Sequence, residues 1–234
     1  MDLQTVDLYL YDSSERTAWL RRLGIKSVPR AQANWLSIAR SGVTLDLMGT
    51  LADQLSEHMP GLSDPDMALN NLDRFFAAAR SRLALAAFFE RDPEALPALL
   101  QIFCSSQHLS DLLIRDAECF DLLRLTEGQP VAREVLVREI CSDVAAATDD
   151  RDVMTILRRH KQRETLRIAY GDIVRRQRLE TVTEQISTLA EAICEAAVRA
   201  ARRKAEQQRG VPRRPDGQRA RFVALAWASW ADRS

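Results

Sequence analysis

The chain has 234 residues, with 33 Lys and Arg against 33 Asp and Glu, so it is neither a globally basic nucleic-acid binder nor an acidic tail protein. Hydrophobic residues make up 46% and charged residues 28%, with only eight Gly and eight Pro, which excludes a disordered chain and a turn-rich β-sandwich. Cys104, Cys119, Cys141 and Cys194 form no CxxC pair, no basic-then-apolar leader opens the chain, and no apolar run is long enough to span a bilayer, so the expected setting is a reducing cytoplasm without a membrane partner.

In chain order, Val6 to Tyr11 reads as a short β-like phrase, and Ser13 and Ser14 offer N-caps to a helical run ending near Gly24. A second run follows Pro29 and carries Trp35, Leu36 and Ile38; a third extends from about Thr44 to His58, closed by the Pro60-Gly61 turn. Ser63 is placed to cap the next helix, whose first turn holds Asp64, Pro65 and Asp66 and whose apolar stripe is Met67, Leu69, Leu72, Phe75 and Phe76. Asp92-Pro93-Glu94 repeats the device before Leu96, Leu99, Leu100, Ile102 and Phe103, with more helix through Leu109, Leu112 and Leu113 to Leu125.

Gly128 to Pro130 breaks the pattern. Val131 to Ala147 and Arg151 to Val174 then read as helices, the acidic cluster Asp149, Asp150 and Asp152 marking the start of the second. Leu179, Val182, Ile186, Leu189, Ile193 and Ala197 step along one apolar stripe of a long last helix that stops at Gly210. Residues 211–221 form a basic Pro/Gly loop, and Phe222, Val223, Ala224 and Leu225 read as the start of a strand. The expected fold is all-α, a multi-helix bundle of about eight or nine helices with a long C-terminal helix, ending at the first strand of a sheet.

Little in the chain reads as chemistry. Cys104 and His108 stand four apart on a predicted helix, the spacing that puts two ligands on one face, but no second ligand pair accompanies them. A buried Cys and a surface His is the plainer reading. Ser105 and Ser106 lie beside that His without a Gly-x-Ser-x-Gly elbow, and no P-loop, GxGxxG or HExxH occurs. No residue is therefore assigned a catalytic, cofactor-binding or metal role.

Basic residues cluster twice, at Arg158, Arg159, Lys161, Arg163 and Arg167, and at Arg199, Arg202, Arg203, Lys204, Arg209, Arg213, Arg214, Arg219 and Arg221. Without interleaved aromatics they read as a solvated helix face and a loop ahead of a nucleic-acid surface. The alternative is a stand-alone helical module using the Arg158 to Arg167 face for a protein or nucleic-acid partner.

Three phrases carry a resemblance. They are Ala68-Leu69-Asn70-Asn71-Leu72-Asp73-Arg74-Phe75, then Ser106-Gln107-His108-Leu109-Ser110-Asp111-Leu112-Leu113-Ile114-Arg115, then the Arg-rich run from Leu157 through His160, Glu164, Arg167 and Tyr170 to Ile173. In order and separation they resemble the bifunctional glutamine synthetase adenylyltransferase/adenylyl-removing enzyme, and the Ser-Gln-x-Leu-Ser-Asp phrase with the Met1 start points to its N-terminal, adenylyl-removing half. The resemblance implies transfer of AMP from ATP to a glutamine synthetase tyrosine and its phosphorolytic removal, with Mg²⁺ on a DxD-type carboxylate pair, glutamine synthetase as partner and a PII signal protein as a regulator of the complete enzyme. ATP and Mg²⁺ belong to that complete enzyme, and no cofactor is expected on this chain.

The family pattern continues after its first strand with a Gly-Lys-Leu-Gly-Gly loop and Ser-Asp-x-Asp, whereas this sequence reads Ala226-Trp227-Ala228-Ser229-Trp230-Ala231-Asp232-Arg233-Ser234. Trp is encoded only by TGG and Ala only by GCN, so each Trp-Ala pair read one base earlier spells Leu, Met or Val followed by Gly. Trp227-Ala228 and Trp230-Ala231 thus become Leu-Gly, one residue, Leu-Gly, the spacing of the missing loop. A frameshift near Ala226 is expected, leaving a truncated fragment inactive by itself. The expected division is 1–59 as an N-terminal helical segment, 60–210 as the family's helical region, 211–226 as basic loop and incipient strand, and 227–234 as an out-of-frame tail.

Overall fold

Asp2 sets how the chain begins: its carboxylate accepts the Thr5 backbone N–H at 2.8 Å and starts a helix, α1 (Leu3–Tyr11). The computed structural model describes residues 2–220. The β-like reading of Val6 to Tyr11 is therefore corrected, because Val6, Tyr9 and Leu10 are the buried residues and their spacing of three and four is helical. Asp12 caps α2 (Ser13–Arg22), accepting the Ser14 and Glu15 N–H groups at 2.8 and 3.2 Å, where Ser13 and Ser14 were the expected caps.

There follow α3 (Val28–Ala39), α4 (Leu45–His58), a 3-10 turn (Met59–Gly61), α5 (Pro65–Ala78), α6 (Arg82–Arg91), α7 (Ala95–Ser105), α8 (Gln107–Arg115), α9 (Cys119–Thr126), α10 (Arg133–Ala146), α11 (Asp150–Ile173) and α12 (Leu179–Arg209). The described residues thus form twelve α-helices, more than the expected eight or nine, with the longest last and no sheet. Single capping residues inside apolar stretches make the extra breaks. The strand expected at Phe222 to Leu225 lies outside the described residues. Asp64, rather than Ser63, caps α5 through the Met67 N–H at 2.9 Å, while the Ser63 hydroxyl donates to the Cys104 carbonyl.

The chain divides into two compact units, one made of residues up to Pro130 with Gln162–Thr183, the other of Val131–Lys161 with the residues from Glu184. In the first, Trp19 stacks on Tyr9 at 4.6 Å and meets Trp35 edge-on at 4.8 Å. Further along, Phe75 packs edge-on against Phe103 and Phe120. Each of these rings is buried, and such offset contacts add about 0.5–1.5 kcal/mol beyond burial itself. Both carboxylate oxygens of Asp66 accept the backbone N–H groups of Lys26 and Ser27, at 2.9 and 2.8 Å, tying the turn before α3 to the start of α5.

In the second unit, Leu136, Val137, Ile140 and Val144 of α10 share a core with Leu157, Ala192 and Ala196. The expected α12 stripe is corrected here. Val182, Gln185, Leu189, Ala192 and Ala196 are the buried line, while Leu179 and Ile186 are 71% and 54% exposed. Gln185 takes a core position because its amide pairs with Val131 in both directions, accepting from its N–H and donating to its carbonyl at 3.0 and 3.4 Å. Those backbone groups would otherwise be unsatisfied. Gly210, at φ 80°, ends α12 as expected, its N–H donating to the Glu206 carbonyl.

One glycine is sterically required. Gly128 has φ 63°, and a Cβ there would stand 2.6 Å from the Gly171 nitrogen and 3.0 Å from the Arg167 carbonyl oxygen, all backbone atoms that cannot swing aside. Gly128→Ala is expected to lower unfolding free energy by about 1–3 kcal/mol, whereas Gly61→Ala, with open space around it, stays near neutral. Urea denaturation of the two variants checks this.

Candidate functional site

The buried polar residues of the three sequence phrases fall in three polar junctions of the larger unit, the first two phrases sharing one and the third contributing to the others. The first joins α5 to α8. Asn71, fully buried on α5, donates through Nδ2 to the Phe103 carbonyl and to Gln107 Oε1, both at 3.3 Å, while Gln107 Nε2 donates back to Asn71 Oδ1 at 3.1 Å. Arg74, one turn on, donates to Asn71 Oδ1 and pairs with Asp111 Oδ1 at 2.8 Å, and Gln107 Nε2 also reaches Asp111 at 2.9 Å. The spacing i, i+3 on α5 and i, i+4 on α8 puts each pair on one helix face. The hydrogen bond from Arg74, reinforced by that from Gln107, holds the Asp111 carboxyl below the usual carboxylate range.

At the second junction, Arg124 near the end of α9 grips Asp92 with two donors, Nε at 2.9 Å and a terminal nitrogen at 2.8 Å, and gives a third to the Tyr170 hydroxyl at 2.9 Å. Burial opposes the guanidinium charge, but the Tyr170 and Asp92 contacts outweigh it and raise the pKa above that of an ordinary arginine. At the third, Arg167 donates to Glu164 at 2.7 Å and to the Gln129 carbonyl at 2.7 Å, both side chains being almost wholly buried. Gln177 donates to the Gly128 carbonyl at 3.0 Å and fills the space a side chain at Gly171 would need.

These arrangements hold helices together. They contain no nucleophile with an adjacent base, and among the described residues no group of three His, Cys, Asp or Glu side chains could hold a metal. The string Ser63-Asp64-Pro65-Asp66 matches Ser-Asp-x-Asp, yet Asp64 caps α5 and Asp66 is committed to two backbone N–H groups at a helix start. Asp150 and Asp152 have the same spacing, and they are engaged by Lys204 and by Thr148. Neither pair fits the role of a sheet-borne metal clamp.

Cys104 and His108 do not share a helix. Ser106, at φ −154°, ends α7 and caps α8 through the Leu109 N–H, so Cys104 is buried on one helix with its thiol on the Gln101 carbonyl, and His108 is exposed on the next. Of the first basic cluster, Arg158, Arg159, Lys161 and Arg163 are exposed, but Arg167 turns inward to Glu164, so the five do not make one face. Much of the second cluster is engaged. Arg203 donates to the Val144 and Ala145 carbonyls that end α10, Lys204 pairs with Asp150, and Arg202 and Arg219 both pair with Glu206. Arg221 lies outside the described residues. Tyr170 stood in the third phrase and Asp92 in a helix-start signal, but nothing in the sequence joined them to Arg124, because the three are far apart along the chain.

A family model described as glutamate-ammonia ligase adenylyltransferase matches residues 96–228, more than half of the chain. Among curated proteins, the chain is similar to bifunctional glutamine synthetase adenylyltransferase/adenylyl-removing enzymes from several bacteria. It is 26% identical to that of Thioalkalivibrio sulfidiphilus, over 78% of this chain and 20% of the relative. Identity is 33% to one from Rhodopseudomonas palustris, over 75% of this chain and 18% of the relative, and 29% to that of Pseudomonas aeruginosa, over 84% and 22%. The chain thus spans about a fifth of the length of these relatives.

The matched model also corrects the assignment to an N-terminal, adenylyl-removing half, since it describes the adenylyltransferase. The phrase that carried the assignment proves to be a helix cap at Ser106, a back-bonded Ser110 and the Gln107 and Asp111 cross-links. Such features position helices and do not distinguish one direction of AMP transfer from the other.

The Asp111 carboxyl has a native pKa below its unfolded value, so its contribution to stability is present above the ordinary carboxylate range and is lost as pH falls through the lowered value. Stability of the intact chain is expected to fall between about pH 5 and about pH 2, with a smaller fall in Arg74→Met. Urea unfolding across that range for both proteins measures the difference.

Proposed function

The chain belongs to the glutamate-ammonia ligase adenylyltransferase family, and from that premise we propose that it is the helical portion of such an enzyme and transfers no AMP by itself. The observation that carries the reading is the use to which the family phrases are put: their buried polar side chains are spent on packing contacts, between α5 and α8, from α9 to α11, and from α11 to the loop at Gln129. A nucleotidyl transfer needs positioned metals and phosphate-binding groups, which supply most of the stabilisation of the transferring phosphoryl. The acids spaced for that work in the described residues are committed elsewhere.

In the complete enzyme, ATP and Mg²⁺ would act on a tyrosine of glutamine synthetase. That partner, a PII-type regulator and a cytoplasmic setting are proposals drawn from the family. No helix among the described residues is long and apolar enough to cross a membrane. Residues 60–210 are read as the helical region behind 1–59, residues 211–226 as the basic loop and incipient strand, and 227–234 as out of frame. This last reading rests on the Trp227-Ala228 and Trp230-Ala231 spacing.

Purified chain incubated with glutamine synthetase, ATP and Mg²⁺ is expected to adenylylate no more than a no-enzyme control, and clear transfer would overturn the proposal. Separately, DNA sequenced across the codons around Ala226 is expected to open, one base away, into Leu-Gly-Lys-Leu-Gly-Gly followed by Ser-Asp-x-Asp. A frame closed there would dismiss the frameshift without touching family membership.

A further inference from the structure

An open depression of about 430 Å³ on the second unit is lined by Arg199, Arg202, Arg203, Glu206 and Gln207 of α12 and by Arg219 of the following loop. Its chemistry is lopsided, with four guanidiniums around one carboxylate. Glu206 is the centre. Arg219 reaches both of its oxygens through one terminal nitrogen, at 2.6 and 2.7 Å, and Arg202 reaches it through Nε at 2.7 Å. Those contacts, with Arg219 foremost, lower the Glu206 pKa.

The arginines are held in place without being used up. A guanidinium has five N–H donors, and Glu206 takes only the Nε of Arg202 and one terminal nitrogen of Arg219. Arg203 is fixed by the Val144 and Ala145 carbonyls at 2.8 and 3.1 Å, and Arg199 is fixed by Glu195. Ordering long side chains is a main entropic cost of a surface ion pair, and these contacts meet part of it before any ligand arrives.

Three features select among anions. The clamp already holds a carboxylate between two guanidiniums, one oxygen shared by Arg202 Nε and an Arg219 terminal nitrogen and the other taken by that same nitrogen, so a carboxylate is a group the site accommodates. No aromatic residue lines the depression, so bases have nothing to stack on and a nucleic acid gains little beyond charge. The site lies on the last turns of α12, at the negative end of the helix dipole, which disfavours a doubly charged phosphate more than a single carboxylate.

We propose that this depression docks an acidic peptide segment of a partner protein, and that Glu206 is the intramolecular stand-in for one of that partner's carboxylates. The incoming acid competes with Glu206 for Arg202 and Arg219, while Arg199 and Arg203 widen the cationic surface for flanking acids. This reading is independent of the adenylyl-transfer proposal, since it uses no nucleotide and no metal.

The test is fluorescence anisotropy of a labelled hexaglutamate peptide titrated with the full 234-residue chain. Binding should weaken with added salt, as expected for exposed charges, and the Arg202→Gln/Arg219→Gln double variant should lose about tenfold in affinity. Glu206→Gln should bind several-fold more tightly, because it frees the clamp and cannot be explained by misfolding. Arg158→Gln/Arg159→Gln, altered on exposed cations elsewhere, should bind like the unaltered chain. Circular dichroism confirms that each variant retains its helices. The proposal is overturned if hexaglutamate does not bind, if Glu206→Gln is unchanged or weaker, if the distal pair loses as much affinity, or if an oligothymidylate of equal charge binds more tightly.

Discussion

The Arg124 guanidinium is the joint on which the larger unit depends. A charge that has left most of its water must be paired, and pairing is useful only if every partner is held in position. Arg124 meets this with the Asp92 carboxylate on one side and the Tyr170 hydroxyl on the other, joining the turn before α7, the end of α9 and the body of α11 through one planar group. A lysine could supply the charge but not donors on three separate nitrogens held in one plane. The reversal after α9 is then led back onto α11, where Gly128 meets Gly171 with no room for a side chain, and the Arg167 guanidinium closes on the Gln129 carbonyl. The glycines follow from that close approach.

Helix existence was legible in the sequence wherever a start or stop signal and a long apolar or charged period agreed, as for α4, α10, α11 and α12. It failed for Val6 to Tyr11, where six residues cannot separate a strand from a helix by periodicity and the deciding signal, Asp2 as a cap, precedes the apolar residues. It failed again at Ser106, because a single serine within a continuous apolar pattern carries no proline or glycine to mark the break between α7 and α8. The phase of α12 was misread for a different reason. Val182 and Leu189 of the expected stripe are buried, and Ile193 and Ala197 pack against the core. But hydrophobicity assigns Gln185 to water and Ile186 to the core, whereas the N–H and C=O of Val131 pair with the Gln185 amide and Ile186 is exposed. Long-range polar demands of this kind have no local trace.

The family phrases were legible as a resemblance without being legible as chemistry. Their polar residues cluster at helical spacing, as binding residues often do, yet Asn71, Arg74, Gln107 and Asp111 satisfy one another across α5 and α8. A buried amide has few ways to be satisfied, so a network of this type constrains sequence as tightly as an active site would. Similarity in these phrases is therefore evidence about a fold and its packing. This is why the phrases supported the family and misled on which half of the enzyme was at hand.

The arginines show the same economy from the charged side. Arg16 donates to the Tyr9 and Leu10 carbonyls at the end of α1, and Arg203 does the same for the Val144 and Ala145 carbonyls at the end of α10, so two helix termini with orphan acceptors are closed by arginine side chains of another helix. Arg213 donates to the Gly217 carbonyl within the loop, and Arg219 returns from that loop to Glu206 on α12. The path of residues 210–220 is set by these contacts and by the positive φ of Gly210 and Gly217, with no apolar core beneath it. A loop ordered only by exposed ion pairs and turn bonds is weakly held, because each pair contributes at most about 1 kcal/mol and is screened by salt. Its order is therefore the part of the second unit most sensitive to competing anions, while α10 and the buried line of α12 rest on apolar burial that salt leaves intact.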